Sequence, residues 1–224
     1  MFVGGQPVDG FVGALPADKV REFLDKHVPG SDELEAQQEE EAAQEALADG
    51  DTDSALEKLQ HAVATDPAND DARFDYVKLL LQLGRDDDAK VAFAPVIDRR
   101  TLVRRFDSLQ RWMDAIDAAG DSAQWAPRLA EADAKIAAVK RDFDVRFTRA
   151  QLLIAQQQWT AAMDELLEIL MRDKTWNDDL ARKTFIAVLD VIEPPKPKVA
   201  EGQIPADDPT VATYRRRLSS VVLS

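Results

Sequence analysis

Along most of this chain apolar residues return every three or four positions, the spacing that gathers them on one face of an α-helix. Leu102, Phe106, Leu109 and Met113 mark one such face, and Trp125, Leu129, Ala132 and Ile136 mark another. A further run, Trp176 to Ile192, keeps the spacing through Leu180, Thr184, Ala187, Val188 and Val191 and stops at Glu193, before Pro194 and Pro195. Proline has no N–H to donate and disfavours helix in the residue before it, so the helix ends there. Residues Pro194 to Pro209, with Pro197, Gly202 and Pro205, have the composition of an extended linker, and Asp208, Pro209 and Thr210 open a last helix through Tyr214, Leu218, Val221 and Val222. The first 30 residues differ in kind. Phe2 to Val8 reads as strand, glycine turn and strand, the second strand continuing through Phe11 and Val12, and an amphipathic helix with Val20, Phe23 and Leu24 follows. A hairpin and one helix are too little to fold alone. Its unpaired strand edges predict a segment that is mobile or pairs with another chain.

The helical pattern also repeats. Leu47, Ala48, Asp49, Gly50 and Asp51, followed by Ala55, Leu59, Ala62 and Pro67, have the form of the second half of a tetratricopeptide repeat: glycine at the turn between two helices, small alanine where they approach, proline at the end. Gly84, Ala89, Phe93 and Val96 each stand 34 residues after Gly50, Ala55, Leu59 and Ala62. That is the tetratricopeptide period. A later copy, Ala150, Leu153, Gln157, Trp159, Ala162, Leu166 and Ile169, is displaced from the first by three periods plus five residues, so the unit between, about 101–141, is irregular. One helical pair cannot bury its apolar face alone, and stacked pairs form a superhelix with a concave inner surface. The expected fold is mostly α, a tetratricopeptide-like solenoid over residues 31–193, preceded by segment 1–30 and followed by a linker, 194–209, and a helix, 210–224.

Composition narrows the function. The 224 residues carry 42 acids against 28 bases, a formal charge of −14, and no cysteine. This excludes thiol chemistry and disulfides within the chain. His27 and His61 stand far apart without ligand spacing, so no metal site, triad or cofactor is expected, and no enzymatic activity. An anionic surface repels phosphate, which argues against nucleic acid. No apolar run spans a bilayer and no signal peptide opens the sequence, which predicts a cytoplasmic protein with no membrane partner.

In the repeat frame Ala36, Asp70 and Phe143 open three units, and positions five, nine and twelve of each first helix face the groove. Glu40, Gln44 and Leu47, then Phe74, Lys78 and Leu81, then Phe147, Gln151 and Ile154 are thereby placed on the inner curve. Such an apolar groove suits unfolded segments, each large side chain buried contributing about 1.5–3 kcal/mol; the alternative is that these residues pack repeat on repeat. Lys78 alone does not make the set of groove bases that grips acidic peptide ends. From Asp32 to Asp53 ten acids occur without a base. They either steer basic clients or form a solvated face. Trp112, Trp125, Trp159 and Trp176 sit at helical spacings that suit a core better than a binding platform. The last helix, with Arg215 to Arg217 beside Tyr214, Leu218 and Val221, either docks in a partner's groove or caps the array.

The segment FVGGQPVDGFVGALPADKVREFLDKH, at about 2–28, resembles the last strand pair and final helix of thioredoxin. Joined to tetratricopeptide-like repeats, to RDKTWNDDLARKTFIAVLDVI at 172–192 and to YRRRLSSVV at 214–222, it is similar to the bacterial chaperedoxin family, in which a thioredoxin domain precedes a tetratricopeptide domain. The resemblance implies that residues 1–30 are a thioredoxin remnant, with further thioredoxin sequence expected upstream of Met1. It implies an ATP-independent holdase that binds unfolding client proteins and passes them to the chaperonin GroEL or to DnaK. It also implies a chaperonin-docking role for Tyr214, Arg215, Arg216, Arg217, Leu218, Val221 and Val222. The competing functions are an adaptor scaffolding one folded partner and the non-catalytic part of a thiol oxidoreductase.

Overall fold

A computed structural model describes residues 2–3, 6–7, 9–10, 13–27, 30–195 and 205–223. The described chain is mostly helical: α1 (Ala17–His27), α2 (Ser31–Ala48), α3 (Thr52–Thr65), α4 (Asp70–Gln82), α5 (Asp86–Phe93), a 3-10 helix η1 (Ala94–Thr101), α6 (Arg104–Ala119), a 3-10 turn η2 (Ser122–Gln124), α7 (Trp125–Ala138), α8 (Phe143–Ala155), α9 (Trp159–Leu170), α10 (Trp176–Ile192) and α11 (Pro209–Leu223). None of these helices is long and apolar enough to cross a membrane. The chain divides into two compact units, Met1–Tyr76 and Val77–Ser224, with the boundary inside α4.

The expected N-terminal hairpin is not supported. Among the described residues only Phe2–Val3 and Gln6–Pro7 pair, two residues on each side, Phe2 opposite Pro7 and Val3 opposite Gln6. Proline supplies no ladder donor, which weakens the pair at its Phe2–Pro7 end. Gly4, Gly5, Val8, Phe11 and Val12 lie outside the described residues, as do Pro197 and Gly202 of the linker.

In the first unit α2 and α3 form an antiparallel pair. Alanines make the close contact: Ala36 and Ala43 of α2, and Ala55 and Ala62 of α3, are fully buried with Leu59. Local capping sets the ends. The Glu33 carboxylate accepts the Gly30 N–H at 3.0 Å, and Asp51 accepts the Ser54 N–H at 3.0 Å. Gly50, between the helices, has φ +81°, which a side chain would strain.

The second unit shows how far the period holds. Ala89, Phe93 and Val96, and again Ala162, Leu166 and Ile169, are buried at the positions that match Ala55, Leu59 and Ala62. At the turn equivalent to Gly50, Gly84 takes φ +69°, and in the later copy Gln157 takes φ +56° without the freedom of glycine. The expected helix through Leu102 is corrected. Pro95 breaks the ladder after α5, η1 replaces a regular turn, and Leu102 stands 84% exposed before α6 begins.

The largest departure is at α10. Asn177, Asp178 and Asp179 have φ values of +47°, +55° and +63°, a left-handed turn that interrupts what the sequence suggests is one continuous helix. Asn and Asp tolerate this region better than other side chains. After it, α10 packs chiefly on α6 and α9, with little contact on α8. The buried Asp190 carboxylate fixes that placement, accepting from Arg104 Nη2 at 2.8 Å and Ser108 Oγ at 2.9 Å. The Asp178 side chain is fully exposed and its ion pair with Lys183, at 3.3 Å, lies at the surface, so Asp178→Gly removes strain and only a weak contact. It is expected to stabilise the protein by about 0.5–1 kcal/mol, the left-handed penalty less glycine's greater entropy loss. A lowered denaturant midpoint would contradict this.

Candidate interaction surfaces

The groove residues named from the repeat frame do not form an open apolar surface. Phe74, Leu81 and Ile154 are buried at 1%, 2% and 2% exposure. Phe147 is half-buried and tilts against Trp176, ring centroids 5.3 Å apart. Lys78, Gln151, Glu40 and Gln44 are half-buried, and only Leu47, at 38%, is exposed. For Ile154 the physical reason is α10. Val188 and Val191 approach Ile154, Trp112 and Trp159, and the space left among them is about 10 Å³, room for one water at most. Ile154 thus acts as packing within the second unit. Trp112 is buried and meets Trp159 edge to face at 4.8 Å, while Trp125 is tied by its N–H to the Gly120 carbonyl at 2.9 Å. All four tryptophans are buried or half-buried.

Beneath α8 lies a buried ionic network that sequence reasoning missed. Glu165 of α9 accepts from Arg146 and, at 3.0 Å, from Arg149 Nη1. Arg149 Nε also reaches Asp133 of α7 at 2.7 Å, and Arg146 Nε donates to the Lys140 carbonyl at 2.8 Å. Glu165 stands three residues after Ala162 and next to Leu166, on the stripe that the repeat buries. A carboxylate on an apolar stripe was the available signal.

Charge elsewhere is segregated. In the first unit Glu33, Gln37, Glu40, Glu41, Asp66, Asn69 and Asp71 line an open cleft of about 380 Å³. Asn69 holds Glu40 at 3.2 Å across it. Among the described residues no group of three or more His, Asp or Glu side chains is arranged to hold a metal ion.

The last helix packs on its own unit. Val211 and Tyr214 of α11 are buried at 1% and 8% exposure, and the helix rests on α9 and α10. The Tyr214 hydroxyl lies 3.0 Å from Asp164 Oδ1 and 3.3 Å from the Thr160 carbonyl, Arg217 pairs with Asp164, and Arg215 reaches Glu193 at 2.7 Å. Burial, and then the bond to Asp164, raise the phenol above its ordinary 10.0. Of the residues given a docking role, Tyr214, Arg215 and Arg217 are therefore engaged within the unit, Arg216 is exposed, and Leu218, Val221 and Val222 are half-buried.

Comparison with known proteins places the repeats. One tetratricopeptide repeat family model matches residues 46–113, and a second matches residues 122–204. A search of curated proteins finds no match to the chain. The matched stretches contain the buried Ala55, Ala89 and Ala162 triads and both helical turns at Gly50 and Gly84. The chain is thus a protein that contains tetratricopeptide repeats, modules that mediate contacts between proteins.

Proposed function

We propose that this chain is an ATP-independent, non-enzymatic co-chaperone of the cytoplasm, which holds unfolding client proteins and passes them to the chaperonin GroEL or to DnaK. The observation that carries this reading is the pair of tetratricopeptide matches, joined to segments at 2–28 and 214–222 that resemble the chaperedoxins. Holding requires accessible apolar surface. With Phe74, Leu81 and Ile154 buried, exposed apolar side chains remain at Leu47 in the first unit, 38% exposed, and at Val139 and Met171 in the second, 55% and 54% exposed. A second reading, an adaptor that scaffolds one folded partner, is favoured by the same burial.

Light scattering separates the two. A chemically unfolded, unrelated client is diluted into buffer with the protein, and chaperonin and ATP are then added. A holdase suppresses aggregation and releases the client to the chaperonin. Ending the chain at Pro209 abolishes the release, and Arg216→Glu weakens it without uncapping α9 and α10. Unchanged scattering at several-fold molar excess would leave the scaffold reading.

A further inference from the structure

Against a net charge of −14, residues 99–105 read RRTLVRR, four arginines and no acid in seven positions. The segment runs from the end of η1 into α6. Leu102 at its centre is 84% exposed, and nearby in sequence Val91 is 74% and Ile97 43% exposed. Side chains three apart eclipse in a 3-10 helix, so Ile97 and Arg100 share one exposed face of η1. The arginines beside them are held. Arg99 lies 5.8 Å over the Phe106 ring, and Arg104 gives one nitrogen to Asp190 at 2.8 Å while its side chain stays 70% exposed.

Guanidinium forks match carboxylates in pairs. Exposed apolar side chains among them ask for a partner that presents carboxylates around an apolar residue. Single-stranded nucleic acid fits less well, because it seeks aromatic platforms, and Phe93 and Phe106 are buried at 2% and 0%.

The matching chemistry is present in the chain itself. Leu34, Gln38, Glu41 and Glu45 follow one another by four, three and four residues, one exposed face of α2. They belong to the block of ten acids without a base, and Leu34 is 45% exposed. We propose that this face of α2 in one copy docks on the Arg99–Arg105 surface of a second copy, head to tail. The two surfaces differ, and a contact made once between two copies, head to tail, leaves one of each surface free to accept another copy. This inference goes beyond the co-chaperone reading and does not depend on it.

Sedimentation of the full chain tests it through salt and complementation. Copies of like net charge repel at low salt, screening at about 0.15 M shortens that repulsion to about 8 Å while contact pairs persist, and about 1 M weakens both. Association should therefore peak at intermediate salt, with the average mass rising with concentration to about two chains or more. Arg100→Glu with Leu102→Glu, and separately Leu34→Gln with Glu45→Arg, should each return the protein to single chains. Mixing the two variants should restore a pair that grows no further, since only one intact contact remains. Circular dichroism and unfolding midpoints check that each variant folds, with Arg100→Gln and Leu102→Gln as the milder replacement. Single chains at every concentration, association indifferent to the arginine variants, or a mixture that stays unpaired would each overturn the proposal. So would a wild type that remains single yet binds poly-glutamate or RNA at this surface, which would identify a different occupant.

Discussion

Glu165→Ala is expected to lower the stability of the second unit by about 3–5 kcal/mol, the range for removing one partner of a buried ion pair. The Glu165 and Arg146 side chains are 9% and 8% exposed, and one carboxylate serves two guanidiniums. Taking it away leaves Arg146 charged in a place that water reaches poorly, with only its bond to the Lys140 carbonyl remaining. Arg149 fares better because its side chain is 25% exposed and keeps Asp133, so Arg149→Ala should cost much less. Replacing Arg146 and Glu165 together by apolar residues of similar volume should recover most of the loss, since no charge is then stranded. Urea unfolding of the three variants decides the matter. A loss below about 1 kcal/mol for Glu165→Ala would mean that the pair is solvated as a surface pair is.

Phe185→Ala should cost a similar amount, about 3–5 kcal/mol, for a different reason: the ring is fully buried and its removal leaves a cavity. The ring also lies 6.2 Å from that of Tyr214, so the loss is felt by α11. Arg215, Arg216 and Arg217 make the release of α11 visible, because trypsin cleaves after arginine only when the backbone opens. Cleavage there should quicken in Phe185→Ala and stay unchanged in Leu223→Ala, whose side chain is 86% exposed. Equal cleavage rates in wild type and Phe185→Ala would show that α11 is held without Phe185.

The repeats were legible because they rest on local rules. Small residues at Ala55, Ala89 and Ala162 and turn glycines at Gly50 and Gly84 carry their own geometry, and the fold places them accordingly. The groove was not, because it depends on where α10 goes. Reading Trp176 to Ile192 as one helix misses three left-handed residues, although Asn177, Asp178 and Asp179 are the residue types that adopt them. A periodicity of three and four places a residue on the buried stripe without saying what covers it. Ile154 meets that stripe, and so does Glu165, whose charge should have pointed to a buried partner. The N-terminal pattern failed for another reason: alternation over so few residues cannot by itself establish a sheet.

The return of α10 over α6 also bears on how the second unit melts. A stack in which each repeat touches only its neighbours can lose them one at a time, like a column unstacked from its end. Here Asp190 joins Ser108 and Arg104 across 82 and 86 residues of chain, tying an early helix of the unit to a late one. Fraying from the C-terminal side therefore has to break α10 from α6 as well as from α9. Such a closed circuit of contacts favours one cooperative transition over a graded series, and it is the feature that separates this unit thermodynamically from an open repeat array.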